Sequence, residues 1–167
     1  MELKGYKAFA VDGTNIVGRT FEEGHKYHMD GNISFGTSGN GFHMALNLED
    51  TIRYAVDEFP GDCIIAEVIG SGTVVEGFDN YYGYYDMYSC SDLEIVKYLT
   101  REEIIEYGLK LNEIKMKRFV ECYKLSEEEI SLFEGKSFIV DLSLDYYQRN
   151  NKEAYSEENK RKRLSNR

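Results

Sequence analysis

Cysteine is scarce in this chain. There are three, Cys63, Cys90 and Cys122, and none falls in a CxxC spacing. An odd, scattered set excludes a disulfide framework and fits reduced thiols in a cytosol. No apolar run is long enough to span a bilayer, and the opening MELKGYKAF has no apolar signal core. A cytoplasmic protein with no membrane partner is the expectation. Nucleophile signatures are missing too: there is no GxSxG, and no cysteine sits in a family signature beside a histidine. Triad chemistry is left without residues. The histidines are only His25, His28 and His43. His25 and His28, three apart, would point to opposite faces of a strand, so HKYH is not a natural chelate and no metal site is expected.

Positive charge is short over most of the chain. The net charge is −10, yet the last eight residues, KRKRLSNR, carry five positive charges, which leaves −15 over residues 1–159. A body that acidic repels phosphate backbones and argues against general nucleic-acid binding. The basic tail reads as a solvated terminus, with contact to nucleic acid or anionic lipid as the alternative. What the chain does have is a 42% hydrophobic content, enough for a core in 167 residues. It also has 14 tyrosines and 15 glycines against a single proline. Tyrosine at this density suits binding surfaces, because the ring buries area while the hydroxyl stays bonded.

The pattern predicts an α+β fold: a small antiparallel sheet with one embedded helix, then a C-terminal helical subdomain. The expected divisions are a mainly-β domain over 1–99, a helical subdomain over 100–149, and a polar, basic-ended tail over 150–167. Sheet strands are expected over 5–11, 25–35, 63–77 and 93–99. Within them, Asp30–Gly31 predicts a hairpin between HKYHM (25–29) and NISF (32–35). GSG (70–72) predicts a turn between CIIAEVI and TVVEG. A tyrosine-rich loop over 78–92 then precedes the last strand. A helix is predicted over 47–59, capped by Asn47, with Leu48, Ile52, Ala55, Val56 and Phe59 on one face and Pro60–Gly61 as its stop.

From Thr100 the period changes to helical. TREE and SEEE are both capping boxes, Thr100 with Glu103 and Ser126 with Glu129, stapled by Leu99–Ile104 and Leu125–Ile130. Between them NEIKMKRFVECYKL predicts a helix that turns Ile114, Phe119 and Val120 inward. Residues 136–149 are open between strand and helix.

Two constellations bear on function. GTSGNG (36–41) precedes a helix as phosphate loops do, but lacks the GK[ST] ending, and hairpin turns explain it as well. The segment FDNYYGYYDMYS crowds Tyr81, Tyr82, Tyr84 and Tyr85 so closely that they cannot all face one way. Some rings stack on a partner, or else the segment folds over the sheet edge. Strand alternation puts Phe42 and His43 on opposite faces. Phe42 is then the core residue, and His43 stands near a helix start, neutral at pH 7. Either His43 forms a ligand pocket with Lys7 and part of Tyr81–Tyr85, or it is a buried hydrogen-bonding residue.

The order of YKAF, GFH leading into a helix with RYA, and IIAEVIGSGTVVE resembles the core of the ADP-ribosyltransferase superfamily. That resemblance implies an NAD-binding cleft between GYKAF and GFHMA, with Lys7 near the first-strand position, His43 at the Gly-aromatic position and Glu76 as the acid. Lys7 is neither the Arg nor the His of that pattern, and neither an STS triplet nor an ExE is present. Over most of residues 4–105, GYKAF, GFH and AEVIGSG resemble an uncharacterised family of small phage and prophage proteins. This resemblance implies a mobile-element context. The expected function is a noncatalytic binding protein acting on a host protein or small nucleotide, with no cofactor. The alternatives are an ADP-ribosyltransferase-like enzyme and a structural accessory domain.

Overall fold

The computed structural model describes residues 1–10, 20–36, 39–52, 63–79 and 83–150; at 78, 79, 83–86 and 150 it describes the backbone alone. Val11, most of the 47–59 helix, Tyr81, Tyr82 and the 151–167 tail lie outside the described residues. The chain forms two compact units, Met1–Thr51 with Ile64–Leu99 and Ile52–Cys63 with Thr100–Arg167.

The first unit is an antiparallel sheet of five strands: β1 (Leu3–Ala10), β2 (Lys26–His28), β3 (Phe42–Ala45), β4 (Cys63–Asp79) and β5 (Gly83–Tyr98). With the helices of the second unit, this is the α+β class that the pattern predicts. The order is β2-β5-β3-β1-β4, and β4 also pairs with β5. Strands β1, β3, β5 and β4 therefore form a closed ring, with β2 beside it. One edge of β5 runs along β4, from Ala66↔Tyr98 to Asp79↔Gly83. Its other edge takes β3 at 87–90 and β2 at 92–94 in succession.

Three expectations fail here. GSG does not turn the chain. Gly72 has φ +74° and sits where the β4–β5 register slips between Ser71 and Val74, so its left-handed backbone makes a β-bulge inside one long strand. A Cβ there would fall 2.0 Å from Asp92 Oδ2. Asp30–Gly31 does not pair HKYHM with NISF. Lys26–His28 pairs with β5 instead, and 32–35 is irregular. The tyrosine-rich 78–92 segment is not a loop, because β5 already starts at Gly83.

The core gathers Phe9, Phe21, Phe42, Met44, Val68, Cys90, Leu93 and Ile95. The four-residue strand β3, missing from the expected sheet, sends Phe42 and Met44 into it. Gly5 lies under Ala45, whose carbonyl oxygen would be 2.3 Å from an added Cβ, so only glycine lets β1 approach β3 this closely. Residues 48–52 begin a helix. The Asn47 carbonyl accepts from Thr51 N at 3.3 Å, and the Thr51 hydroxyl donates to the Tyr6 carbonyl, also at 3.3 Å.

The second unit contains α1 (Arg101–Leu109), α2 (Glu113–Cys122), α3 (Glu127–Phe133), α4 (Phe138–Ser143) and a π-helical continuation, Leu144–Asn150. Within the 136–149 segment, residues 138–149 are thus helical. Both capping boxes are formed: Thr100 Oγ1 accepts from Glu103 N while Glu103 accepts from Thr100 N, and Ser126 and Glu129 repeat the exchange. Asn112 and Ser137 cap α2 and α4. Phe119 stacks on Phe133 with centroids 5.5 Å apart, and Gly108 leaves room for the Phe119 ring between α1 and α2. Phe119 and Val120 point inward as predicted, but Ile114 does not; it is 62% exposed in the first turn of α2.

Gln148 is the buried polar centre of this unit. Its Nε2 donates to the Val120 and Tyr123 carbonyls at 2.6 and 2.8 Å, and its Oε1 accepts from Leu125 N at 3.1 Å. It thereby satisfies the C-terminal end of α2 and the link to α3.

Candidate functional site

Alternation along β3 sends the His43 side chain away from Phe42 and Met44, as predicted. The segment before β3 folds onto that outer side. Asn40 anchors it by donating to the Asp30 and Asn32 carbonyls at 2.9 and 3.2 Å. The Phe35 ring lies on Gly77, whose Cβ would be 1.9 Å from it, and packs against the His43 ring with centroids 4.8 Å apart. Gly36 N donates to His43 Nε2 at 3.2 Å. GTSGNG thus leads into a strand rather than a helix, and its first residue, Gly36, gives its N–H to an imidazole.

That geometry needs a lone pair on Nε2, so His43 is neutral. Burial, and then the Lys7 charge, push its pKa down to about 4. Neutrality was expected from a helix N-terminus; the groups responsible are the apolar cover and a cation across the strand.

Lys7 shares the inward face of β1 with Leu3, Gly5 and Phe9. Its ammonium donates to the His43 carbonyl at 2.7 Å and lies 5.7 Å from the Phe9 ring centroid. Burial lowers its pKa to about 8. Close by in the core, burial raises the Cys90 thiol to about 11, against the opposing pull of Lys7. Lys7 and His43 are therefore brought together, but through the His43 backbone, and their two side chains lie on opposite faces of the sheet.

Glu76 is exposed on β4 opposite Tyr88. Tyr84 and Tyr85 lie on β5 between its first residue, Gly83, and the Met87↔Ala45 pair where β3 ends. Tyr84 and Tyr85 therefore lie towards the Asp79↔Gly83 end of the β4–β5 pair.

His28, which sequence reasoning set aside, is held by two carboxylates. Its Nδ1 lies 2.7 Å from Asp92 Oδ1 and its Nε2 3.1 Å from Asp30 Oδ1, and these bonds raise its pKa. Ser91 donates to the other Asp92 oxygen at 2.6 Å and holds that carboxyl below its ordinary range. The arrangement ties the three-residue β2 to β5. Among the described residues, no group of three His, Cys, Asp or Glu side chains is placed to hold a metal ion.

Sequence reasoning missed a groove of about 340 Å³ along β1 and β4, whose lining includes Lys4, Tyr6, Leu46, Glu67, Ile69 and Val96. Burial, then Glu67 and Glu49, raise the Tyr6 phenol. The alternation of Lys4 and Tyr6 on β1 was the available signal, but it gave no indication that β4 would lie alongside. Among the described residues no helix is long and apolar enough to cross a membrane. Compared with protein-family models, curated proteins and solved structures, the chain matches none.

Proposed function

We propose that this chain is a noncatalytic binding protein of the phage or prophage type, acting on a host protein through the end of its long hairpin. The supporting observation is the position of Tyr84 and Tyr85 near the start of β5, at the Asp79↔Gly83 end of paired strands that run 17 and 16 residues. A hairpin end dense in tyrosine offers large contact area at low side-chain entropy. A small nucleotide is the less favoured ligand. The two groups suited to grip one, Lys7 and His43, already bond within the protein. The same bonds weigh against the ADP-ribosyltransferase-like reading, because both side chains are already engaged within the protein.

The test is native mass spectrometry of the protein purified from its own source, beside a Tyr84→Ser/Tyr85→Ser variant. A stoichiometric protein partner lost in the variant, with an unchanged melting temperature, is the expected result. A nucleotide retained by both forms, or transfer of ADP-ribose from added NAD, would overturn the reading.

A further inference from the structure

We propose that the groove along β1 and β4 binds a small zwitterion with an apolar body, of the class of a free aliphatic or aromatic amino acid. The groove lies wholly within the first unit, and the proposal does not depend on the hairpin reading. Its apolar lining comes from Tyr6 on β1, Leu46 just past β3, Ile69 on β4 and Val96 on β5. Val96 is available because of a bulge. Glu67 pairs with Lys97 and Val68 with Ile95, so Val96 is an extra residue on β5, and it stays 41% exposed. An extra residue in a ladder re-aims a side chain, and such bulges recur beside functional sites. A volume of about 340 Å³ stands at the low end of the roughly 300–1,000 Å³ of small-molecule sites. It is sized for a single amino acid rather than for a dinucleotide or a helix.

Two opposite charges share this groove without pairing. Lys4 and Glu67 line it from neighbouring strands, and among the described residues neither side chain makes an ion pair or a hydrogen bond. Glu94, further along β5, is held by Lys26 at 3.2 Å, and Lys97 stands opposite Glu67 in the register without bonding to it. A ligand with one charge would leave the other groove charge against its apolar body. A zwitterion answers both, with its ammonium on the Glu67 carboxylate and its carboxylate on the Lys4 ammonium. Glu67 is half-buried and gives a fixed anchor, whereas Lys4 is exposed and reaches over on a flexible stem. The ligand's apolar body then lies along Tyr6, Ile69 and Val96 and displaces water from both charge-assisted bonds, which strengthens them. Burial, then Glu67 and Glu49, raise the Tyr6 phenol, so the ring that meets this body is uncharged.

The test is an amide NMR titration of the full chain with L-leucine and L-phenylalanine. Leucinamide, N-acetyl-leucine and glycine serve beside them, lacking in turn the carboxylate, the ammonium and the apolar body. At least one of the two amino acids should give saturable shifts at residues 4–6 and 67–69, about tenfold or more tighter than every analogue. Glu67→Gln should weaken that amino acid to the level of N-acetyl-leucine, and Lys4→Gln to the level of leucinamide. The melting curve of Lys4→Gln should overlay the parent, because the side chain is exposed and unpaired. Val96→Lys, at an exposed position, puts a cation beside Glu67 and should abolish binding, which keeps the test decisive if Glu67→Gln misfolds. No saturable shift with either amino acid, an analogue that binds as tightly, or binding indifferent to all three substitutions overturns the proposal. So does a dimer in sedimentation that Val96→Lys dissociates, which would give the groove to a second copy.

Discussion

His43 and Lys7 contribute to stability in opposite pH ranges, and each has a sign that can be worked out. For His43 the folded pKa, about 4, is below the unfolded value near 6.5. Between these values the unfolded chain binds more protons, so stability falls as the pH drops from 6.5 to 4. The full loss is about 3 kcal/mol by linkage. His43→Gln should flatten this limb in denaturant melts at pH 4 and pH 7. For Lys7 the folded pKa, about 8, is below the unfolded value near 10.4. Stability should therefore rise with pH across that interval, and the penalty for holding the charge in the core is complete below pH 8. Lys7→Met should stabilise the protein at pH 7 by roughly 1–3 kcal/mol and abolish the alkaline rise. It should also raise the His43 pKa, since the Lys7 charge is one of the two causes that depress it. Imidazole titration by NMR reads this directly, and an unmoved His43 would show that the two groups are not coupled.

At the level of elements, features set by a few neighbouring residues were readable in advance and those set by distant partners were not. Thr100 and Ser126 announce their helices because cap, partner and first turn are adjacent in sequence. Replacing either with Ala should lower stability by about 1 kcal/mol, and thermal melts unchanged by both would dismiss the caps. Gly72 shows the opposite case. A glycine with positive φ serves a turn or a bulge equally well, and only pairing with a strand some twenty residues away decides which. Gly72→Ala should destabilise by about 2 kcal/mol or more, combining left-handed strain with displacement of Asp92 from His28 and Ser91. Gln148 was unreadable because its partners are three backbone groups on other elements. Gln148→Ala would remove the bonds to Leu125 N, Val120 O and Tyr123 O from a buried site, at about 2–4 kcal/mol, and hydrogen exchange at Leu125 should report the opening. Ile114 was misread for a related reason: its apolar character predicts burial, but it stands in the first turn of α2 on the side away from Met116, Phe119 and Val120.

For the whole molecule, composition and period were enough for the α+β class, because strands and helices occupy different stretches of the chain. The closed order of strands was not available, since β1 and β4 carry no mark of each other. Half of the candidate site could be anticipated. The outward turn of His43 follows from alternation, whereas its cover by Phe35 and Gly36 requires knowing that 32–41 folds back onto the sheet. Ile52, which the pattern places on the inner face of its helix, is 1% exposed. Ile52→Asp places an unpaired carboxylate there and should remove the cooperative melting transition; a soluble variant that still melts sharply would refute that burial.

The ring of β1, β3, β5 and β4 also has a history in time. A ribosome delivers β1 first, yet one of its two hydrogen-bonding neighbours, β4, ends almost seventy residues later at Asp79. At roughly 5–20 residues per second that interval lasts several seconds, whereas the local β4–β5 hairpin closes within microseconds of its strands being free. Throughout the wait, one side of GYKAFA is an open strand edge. Nascent chains on one messenger would pair through it or be shielded by a chaperone, so the yield of this protein should depend on translation speed as much as on the stability of the finished fold.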